Sequence, residues 1–383
     1  MSPGPRPLRL LLVINALSAG GAERVLSVLA NAWAARGDAV TVATFTGPEA
    51  QPFFALDPAI TLLPLGASGS PGPLLGRAGA LGRNLAGVRA IRGAIRVARP
   101  DVIMSFMNVT NILTILAAQG TGVPVVATEH IDPSQDEDDI GPLWTTLRRL
   151  TYPHAARLAV LNERVLEYFP AEIRRRSVVV PNPVIAPPET AAARPRGDDD
   201  GPRTALAMGR LTSQKGFDLL LEAFAQVAAR HPAWSLDIRG EGPLHDALVT
   251  RVGTLGLAAR VRFPGRTDDA YATLRAADLY VLSSRYEGFP MVLCEAMASG
   301  LPVVAFDCRT GPREIVRDGV DGVLVPAGDV TALAGQLDRL FAEPALRARL
   351  ASRAPEIIGR FGVPRILALW DDVFAVVGAR GPR

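Results

Sequence analysis

Residues Leu279 to Phe306, LYVLSSRYEGFPMVLCEAMASGLPVVAF, form a unit that few folds can accommodate. Leu279 to Ser283 is a short apolar run, the pattern of a strand buried on both faces. Ser284 to Phe289 reads as a loop. Pro290 to Ser299 has apolar residues at helical spacing, with Pro290 at the favoured first helical position and Gly300 just past the end. Leu301 to Phe306 is the next strand. Strand, loop, helix and strand in this order predict a parallel α/β sheet. In such sheets ligands bind outside the carboxyl ends of the strands.

Two carboxylates, Glu287 and Glu295, stand eight residues apart in this unit. Glu287 and Gly288 fall at the strand's carboxyl end, and Glu295 about one and a half turns into the helix. A carboxylate accepts two hydrogen bonds from vicinal hydroxyls. The helix start directs free N–H groups and a positive dipole end into the same space, which suits a phosphate. Upstream, Ala205 to Met208 reads as a strand, Gly209 to Gly216 as its loop and Phe217 to Arg230 as a helix. Arg210 and Lys215 therefore also sit at a strand's carboxyl end. Arg offers a planar fork and Lys a point charge, both suited to a departing diphosphate.

Taken together, GRLTSQKG and EGFPMVLCEAM resemble the retaining glycosyltransferases of family 4, with the GT-B fold of two Rossmann-like parallel-sheet domains facing across a cleft. The resemblance implies transfer of a hexose or N-acetylhexosamine from a nucleotide diphosphate sugar, UDP first among donors. It implies that Glu287 contacts the donor sugar and Glu295 the ribose. Gly288, Phe289, Pro290 and Met291 would lie along the donor sugar and phosphates, and Arg210 and Lys215 would hold the pyrophosphate. GEGP at 240–243 and RFPG at 262–265 would approach the base through backbone.

The first half has the same grammar. Leu8 to Ile14 is an apolar strand, SAGG at 18–21 a glycine-rich turn and Ala22 to Ala35 a helix. The turn is not G-x-G-x-x-G, so a dinucleotide reading is weak. By resemblance Gly20 and Gly21 approach the donor phosphates and the acceptor. Val123 to Thr128 is a strand that runs into Glu129 and His130; the resemblance sets His130 against the donor hexose as a catalytic candidate, either bonding a sugar hydroxyl or stabilising positive charge at the anomeric carbon through its neighbours. Asn108, after Val102 to Met107, and Asn162, after Arg157 to Leu161, are acceptor-side candidates. Neither a nucleophile elbow nor a C-x-x-C or H-E-x-x-H motif occurs, and Asp198 to Asp200 fall in a proline-rich linker. No metal and no cofactor are expected.

At 383 residues with 48% apolar and 21% charged residues, two folded domains are the natural expectation. The stretch from Pro181 to Arg203 is rich in proline and charge and lacks periodicity, placing the change of domain there. The expected domains are 1–183, for the acceptor, and 184–363, for the donor. By resemblance 364–383 cross back to the first. The apolar start is read as a strand rather than a signal peptide, and no apolar stretch is long enough to span a bilayer. Two Cys and no signal fit a reducing cytosol.

Between Pro58 and Pro100 there is no acidic residue but six Arg: Arg77, Arg83, Arg89, Arg92, Arg96 and Arg99. Leu81, Leu85, Val88, Ile91 and Ile95 form an apolar stripe beside them. A basic amphipathic helix of this kind predicts attachment to an anionic membrane surface, on the inner face of the plasma membrane. Without aromatic interleaving it does not suit nucleic acid. SFMNVTNILT and AFDCRTGPREI are most similar to bacterial enzymes that extend polyprenyl-diphosphate-linked glycans, which implies such an acceptor. Two other readings stay open: a sugar-nucleotide epimerase on the same double fold, and a non-catalytic nucleotide-sugar-binding partner.

Overall fold

The computed structural model describes residues 6–66, 80–135, 137–188 and 201–379. The chain divides into two compact units, Met1–Pro183 with Val363–Arg383, and Val184–Gly362.

The first unit is built on seven parallel strands: β1 (Arg9–Ile14), β2 (Ala39–Thr44), β3 (Thr61–Pro64), β4 (Val102–Phe106), β5 (Val125–Thr128), β6 (Arg157–Val160) and β7 (Ser177–Val179). Their order across the sheet is β3-β2-β1-β4-β5-β6-β7. β1 lies between β2 and β4, with Leu10 opposite both Val40 and Val102. Leu10 to Ile14 are buried on both faces, which accounts for their unbroken apolar run. The helix Gly21–Ala35 buries Val25, Leu26, Leu29 and Trp33. Trp33 meets Trp370 and Phe374 of the helix Val363–Val376, with ring centroids 6.4 and 5.7 Å apart. Beside them Arg36 Nη1 donates to both oxygens of Asp371 at 2.9 and 3.0 Å, while its Nε and Nη2 hold Asp38. Aromatic contact and a bidentate ion pair thus fix the last helix on the first unit.

The second unit has six parallel strands: β8 (Arg203–Met208), β9 (Trp234–Arg239), β10 (Val261–Arg262), β11 (Leu279–Leu282), β12 (Val303–Asp307) and β13 (Val323–Pro326). Their order is β10-β9-β8-β11-β12-β13. On one face Ala205, Ala207, Leu236, Ile238, Leu279, Val281, Val304 and Phe306 pack under the helices Phe217–Ala228 and Val330–Ala342. In both sheets the strand order reverses beside the first strand, between β1 and β4 and between β8 and β11. Crevices at such reversals are the ligand sites of open α/β sheets.

Most expected elements differ from the observed ones by one or two residues at an end, and three of these shifts fall at a proline. Val123 to Thr128 was expected as a strand and Val125–Thr128 is observed. Leu301 to Phe306 was expected and Val303–Asp307 is observed. Pro124 and Pro302 cannot donate to a ladder, and serve instead through their carbonyls, which accept from Ile103 N and Tyr280 N. Pro290 is not the first helical residue but the cap of the helix Met291–Ala298, because its ψ of 93° is extended. In the helix Ala80–Ala98, Ile91 and Ile95 are core residues, whereas Leu81 and Leu85 stand 64% and 48% exposed. The expected apolar stripe therefore splits along the helix. Arg77 and Asp198 to Asp200 lie outside the described residues. Among the described residues no helix is long and apolar enough to cross a membrane.

Candidate functional site

In the second unit the loops that follow β8 and β11 are joined at the strand-order reversal. Arg285 N donates to Gln214 O at 2.7 Å, Gln214 Nε2 to Tyr286 O at 3.1 Å and Ser283 Oγ to Lys215 O at 2.9 Å. Arg285 also forks onto Asp218 at 2.8 and 2.6 Å and holds that carboxyl below its usual range. This zipper brings together two of the predicted residues. Lys215 Nζ lies 2.6 Å from Glu287 Oε1, and Ser284 Oγ donates to the same oxygen at 2.6 Å. Thr310 Oγ1 donates to the carbonyl of Glu287, so β12's loop fixes its backbone as well.

Gly216 is what allows the loops to close. Its φ is +59°, and a Cβ there would lie 2.1 Å from Ser283 O. Gly311, with φ +99°, likewise has Gly288 O and Pro290 against its missing side chain.

Glu287 and Glu295 are 6% and 2% exposed, and both act on the buried Tyr280, whose phenol is raised by burial and by these two carboxylates. Carboxylates withdrawn from water can hold hydroxyls strongly. Arg210 differs: it is exposed, and among the described residues its side chain has no hydrogen-bond or ion-pair partner. Gly288 to Met291 lead into the helix Met291–Ala298, whose start carries no side-chain cap. Its first-turn N–H groups remain for other acceptors. One further cation was not foreseen. Leu236 and Ile238 belong to the core face, so Arg239 projects from the opposite face, the face that carries Tyr280. Its Nε is buried with no partner among the described residues. Only its place at the end of β9 could have suggested it.

Cys294 and Cys308 are buried, and burial pushes both thiols up, Cys308 to about 12. Among the described residues no group of three or more His, Cys, Asp or Glu could hold a metal ion.

In the first unit Gly20 caps the helix Gly21–Ala35, and Glu23 folds back so that a Cβ on Gly20 would meet its Oε2 at 2.1 Å. Ser18 Oγ donates to Glu23 Oε1 at 3.1 Å. Gly21 has open space around its Cα. Asn108 opens the helix Asn108–Ala118 after Met107, a residue with φ +74°. A bulky residue held in the left-handed region marks stored strain, of the kind found near sites. Asn162 is buried and its Oδ1 caps Glu163–Leu166 by accepting from Val165 N.

His130 stacks on Phe106, centroids 5.3 Å apart and planes 16° from parallel. Burial lowers its pKa to about 4, so the ring is neutral at physiological pH. Beneath it runs a buried network that sequence reading missed: Ser105 Oγ donates to Asn111 Oδ1 at 2.7 Å, and Asn111 Nδ2 donates to Thr128 O and Tyr152 Oη at 2.9 and 3.1 Å. Tyr152 in turn donates to Glu129. An unfolded histidine takes a proton near 6.5, so between about pH 6.5 and 4 the unfolded chain binds more protons than the fold. Stability is therefore full above that window and lost as pH falls through it, by about 3 kcal/mol at pH 4. Urea unfolding against pH should show this slope, and His130→Gln should remove it; an equal slope in both proteins would refute the burial assignment.

The family description "Glycosyl transferases group 1" matches residues 189–357, and "Glycosyl transferase 4-like domain" matches 20–183. An exopolysaccharide phosphotransferase of Streptomyces coelicolor is 35% identical over 235 residues, 60% of this chain but only 24% of that protein. A Campylobacter jejuni N-acetyl-D-galactosaminyltransferase, named for a diNAcBac-PP-undecaprenol glycan, is 27% identical over 97% of this chain and 99% of its own. Among solved structures, an Anabaena protein crystallised with UDP and glucose superposes with a TM-score of 0.74 at 21% identity, covering 96% of this chain and 99% of that one. A sucrose-phosphate synthase of Thermosynechococcus elongatus gives 0.79 at 21%, covering 97% and 99%. At that identity the structures speak for the fold, which is GT-B. The two family matches fall one on each compact unit, and the chain belongs to the group 1 glycosyltransferases of family 4.

Proposed function

We propose that the protein transfers a hexose or N-acetylhexosamine, with retention of configuration, from a nucleotide diphosphate sugar to a lipid-linked bacterial glycan. The observation that carries this reading is the Lys215–Glu287 pair at 2.6 Å, with the exposed Arg210 on the same loop as Lys215. A nucleotide sugar supplies both groups that such a pair lacks. Its diphosphate replaces Glu287 as the partner of Lys215, and its hydroxyls replace Lys215 as the partner of Glu287. The bond from the anomeric carbon to the phosphate oxygen breaks, and Lys215 and Arg210 stabilise the charge on the diphosphate. The acceptor hydroxyl attacks from the same face and passes its proton to a phosphate oxygen of the leaving group. In this reading the two cations supply at the diphosphate the positive charge that a divalent ion would otherwise bring. The UDP of the Anabaena crystal and the undecaprenol glycan of the Campylobacter name support a UDP donor and a lipid acceptor.

The test is release of UDP or GDP from a panel of nucleotide sugars, with and without a lipid extract containing undecaprenyl-diphosphate glycans. Release from one donor, raised by the extract and unchanged by EDTA, is expected, and the product's anomeric coupling should match the donor's. Lys215→Ala should lower kcat by about 10²–10³-fold. Release without acceptor of a changed nucleotide sugar would instead indicate an epimerase.

The same reading places the acceptor at a membrane. Leu81, Leu85 and Val97 are exposed on the helix that also carries Arg83, Arg89, Arg92 and Arg96. Each arginine near an anionic surface contributes roughly 1 kcal/mol. Cosedimentation with phosphatidylglycerol vesicles is expected, weakening with salt and lost in Leu85→Asp/Arg89→Glu. Equal binding by that variant would exclude this helix as the contact.

A further inference from the structure

Thr128 stands between two acceptors with a single proton to give. Its Oγ1 donates to the carbonyl of Ser105 at 2.8 Å and also lies 3.1 Å from His130 Nε2. A hydroxyl has one hydrogen and two lone pairs. With that hydrogen committed to a carbonyl, which can only accept, the contact to the imidazole requires the imidazole to donate. We infer that Thr128 is a positioning residue that fixes His130 as the neutral tautomer protonated at Nε2, leaving the lone pair at Nδ1.

The surroundings make this assignment rigid. The Ser105 carbonyl belongs to β4, and the Thr128 carbonyl is itself held by Asn111 Nδ2 at 2.9 Å. Phe106 lies flat against the imidazole and restricts its rotation. Nδ1 is buried and has no partner among the described residues. The ring borders a recess also lined by Phe106, Glu129, Leu161 and Asn182, whose free volume of about 10 Å³ is that of one water-sized group. A buried lone pair without a donor costs free energy. The group that would satisfy this one is a hydroxyl, and a sugar substrate carries several. His130 then acts as an acceptor that orients a substrate hydroxyl, and neither as an acid nor as a positive charge. Only this last role rests on the function proposed above; the tautomer does not.

The chain has four histidines, so a long-range ¹H–¹⁵N correlation spectrum of histidine-labelled protein is simple, and His130→Gln assigns the fourth set. At pH 7 His130 should show a pyrrole-like Nε2 and a pyridine-like Nδ1. Thr128→Val, close in shape but with nothing to accept the Nε2 proton, should mix or reverse the two signals. Thr128→Ser should restore the wild-type pattern. In the transfer assay Thr128→Val should lower kcat/KM by about tenfold, with Thr128→Ser within about twofold. A pyridine-like Nε2 in the wild type, or unchanged signals in Thr128→Val, would overturn the inference. Should Thr128→Val fail to fold, the wild-type and Thr128→Ser spectra still decide it. If the spectra hold but no donor sugar is turned over, the transferase reading fails and the tautomer stands.

Discussion

Glu287→Gln lowers kcat for sugar transfer by about 10²–10³-fold while the protein stays folded. The substitution keeps the shape of the side chain, and an amide oxygen still accepts from Ser284 Oγ, which lies 2.6 Å from Glu287 Oε1. The backbone anchor from Thr310 to the carbonyl of residue 287 is untouched. What is lost is the charge that sits 2.6 Å from Lys215 and its strength as a hydroxyl acceptor. Because Glu287 is 6% exposed, water replaces neither. The thermal midpoint should move by only a few degrees, and circular dichroism should be unchanged. Turnover within about twofold of wild type would remove Glu287 from the chemistry.

Gly216→Ala has the second largest expected effect, and its origin is backbone geometry. The residue has φ +59°, and its added Cβ would lie 2.1 Å from the carbonyl of Ser283, a strand-end backbone atom that has little freedom to move. Left-handed strain and the clash together should cost about 2–4 kcal/mol. Relief of the clash separates the two loops, and with them Lys215 from Glu287, so donor affinity should fall alongside stability. Gly21→Ala is the control for stability alone: it opens a helix, nothing lies within 4 Å of its absent Cβ, and its φ is ordinary. That variant should be neutral within about 1 kcal/mol. Urea unfolding together with UDP titration separates the two effects. A Gly216→Ala protein with wild-type stability and affinity would show that the loops tolerate the side chain.

How much could be read beforehand depended on distance along the chain. Glu287 and Glu295 share one strand–loop–helix unit, so their spacing alone placed both at a strand end and on one helix. Lys215 could be placed at its own strand end, but its contact with Glu287 crosses 72 residues and exists only because β8 and β11 are neighbours. Hydrophobic pattern announces strands without announcing which of them pair. The network beneath His130 was invisible for the same reason: Ser105, Asn111, Thr128 and Tyr152 come from separate elements, and none is unusual in its own segment. The return of the last helix to the first unit rests on Trp33, Arg36, Trp370 and Asp371, residues 335 apart in the case of the ion pair. Only resemblance had suggested it. The errors were local: the prolines 124, 290 and 302, whose missing N–H and extended neighbours shift element ends by one or two residues, and the exposed Leu81 and Leu85 in the expected apolar stripe.

The two buried cysteines have a practical consequence. A thiol reacts through its thiolate, and both Cys294 and Cys308 are enclosed and pushed upward, Cys308 to about 12. At neutral pH in the folded protein they should be silent to maleimides. A single cysteine introduced on the exposed faces, at Val97 or Val249 for example, would then be the one site that takes a dye. Fluorescent reporters could be attached to either unit without first removing a native residue, and the native pair would become reactive only on unfolding, giving each labelled sample its own internal measure of integrity.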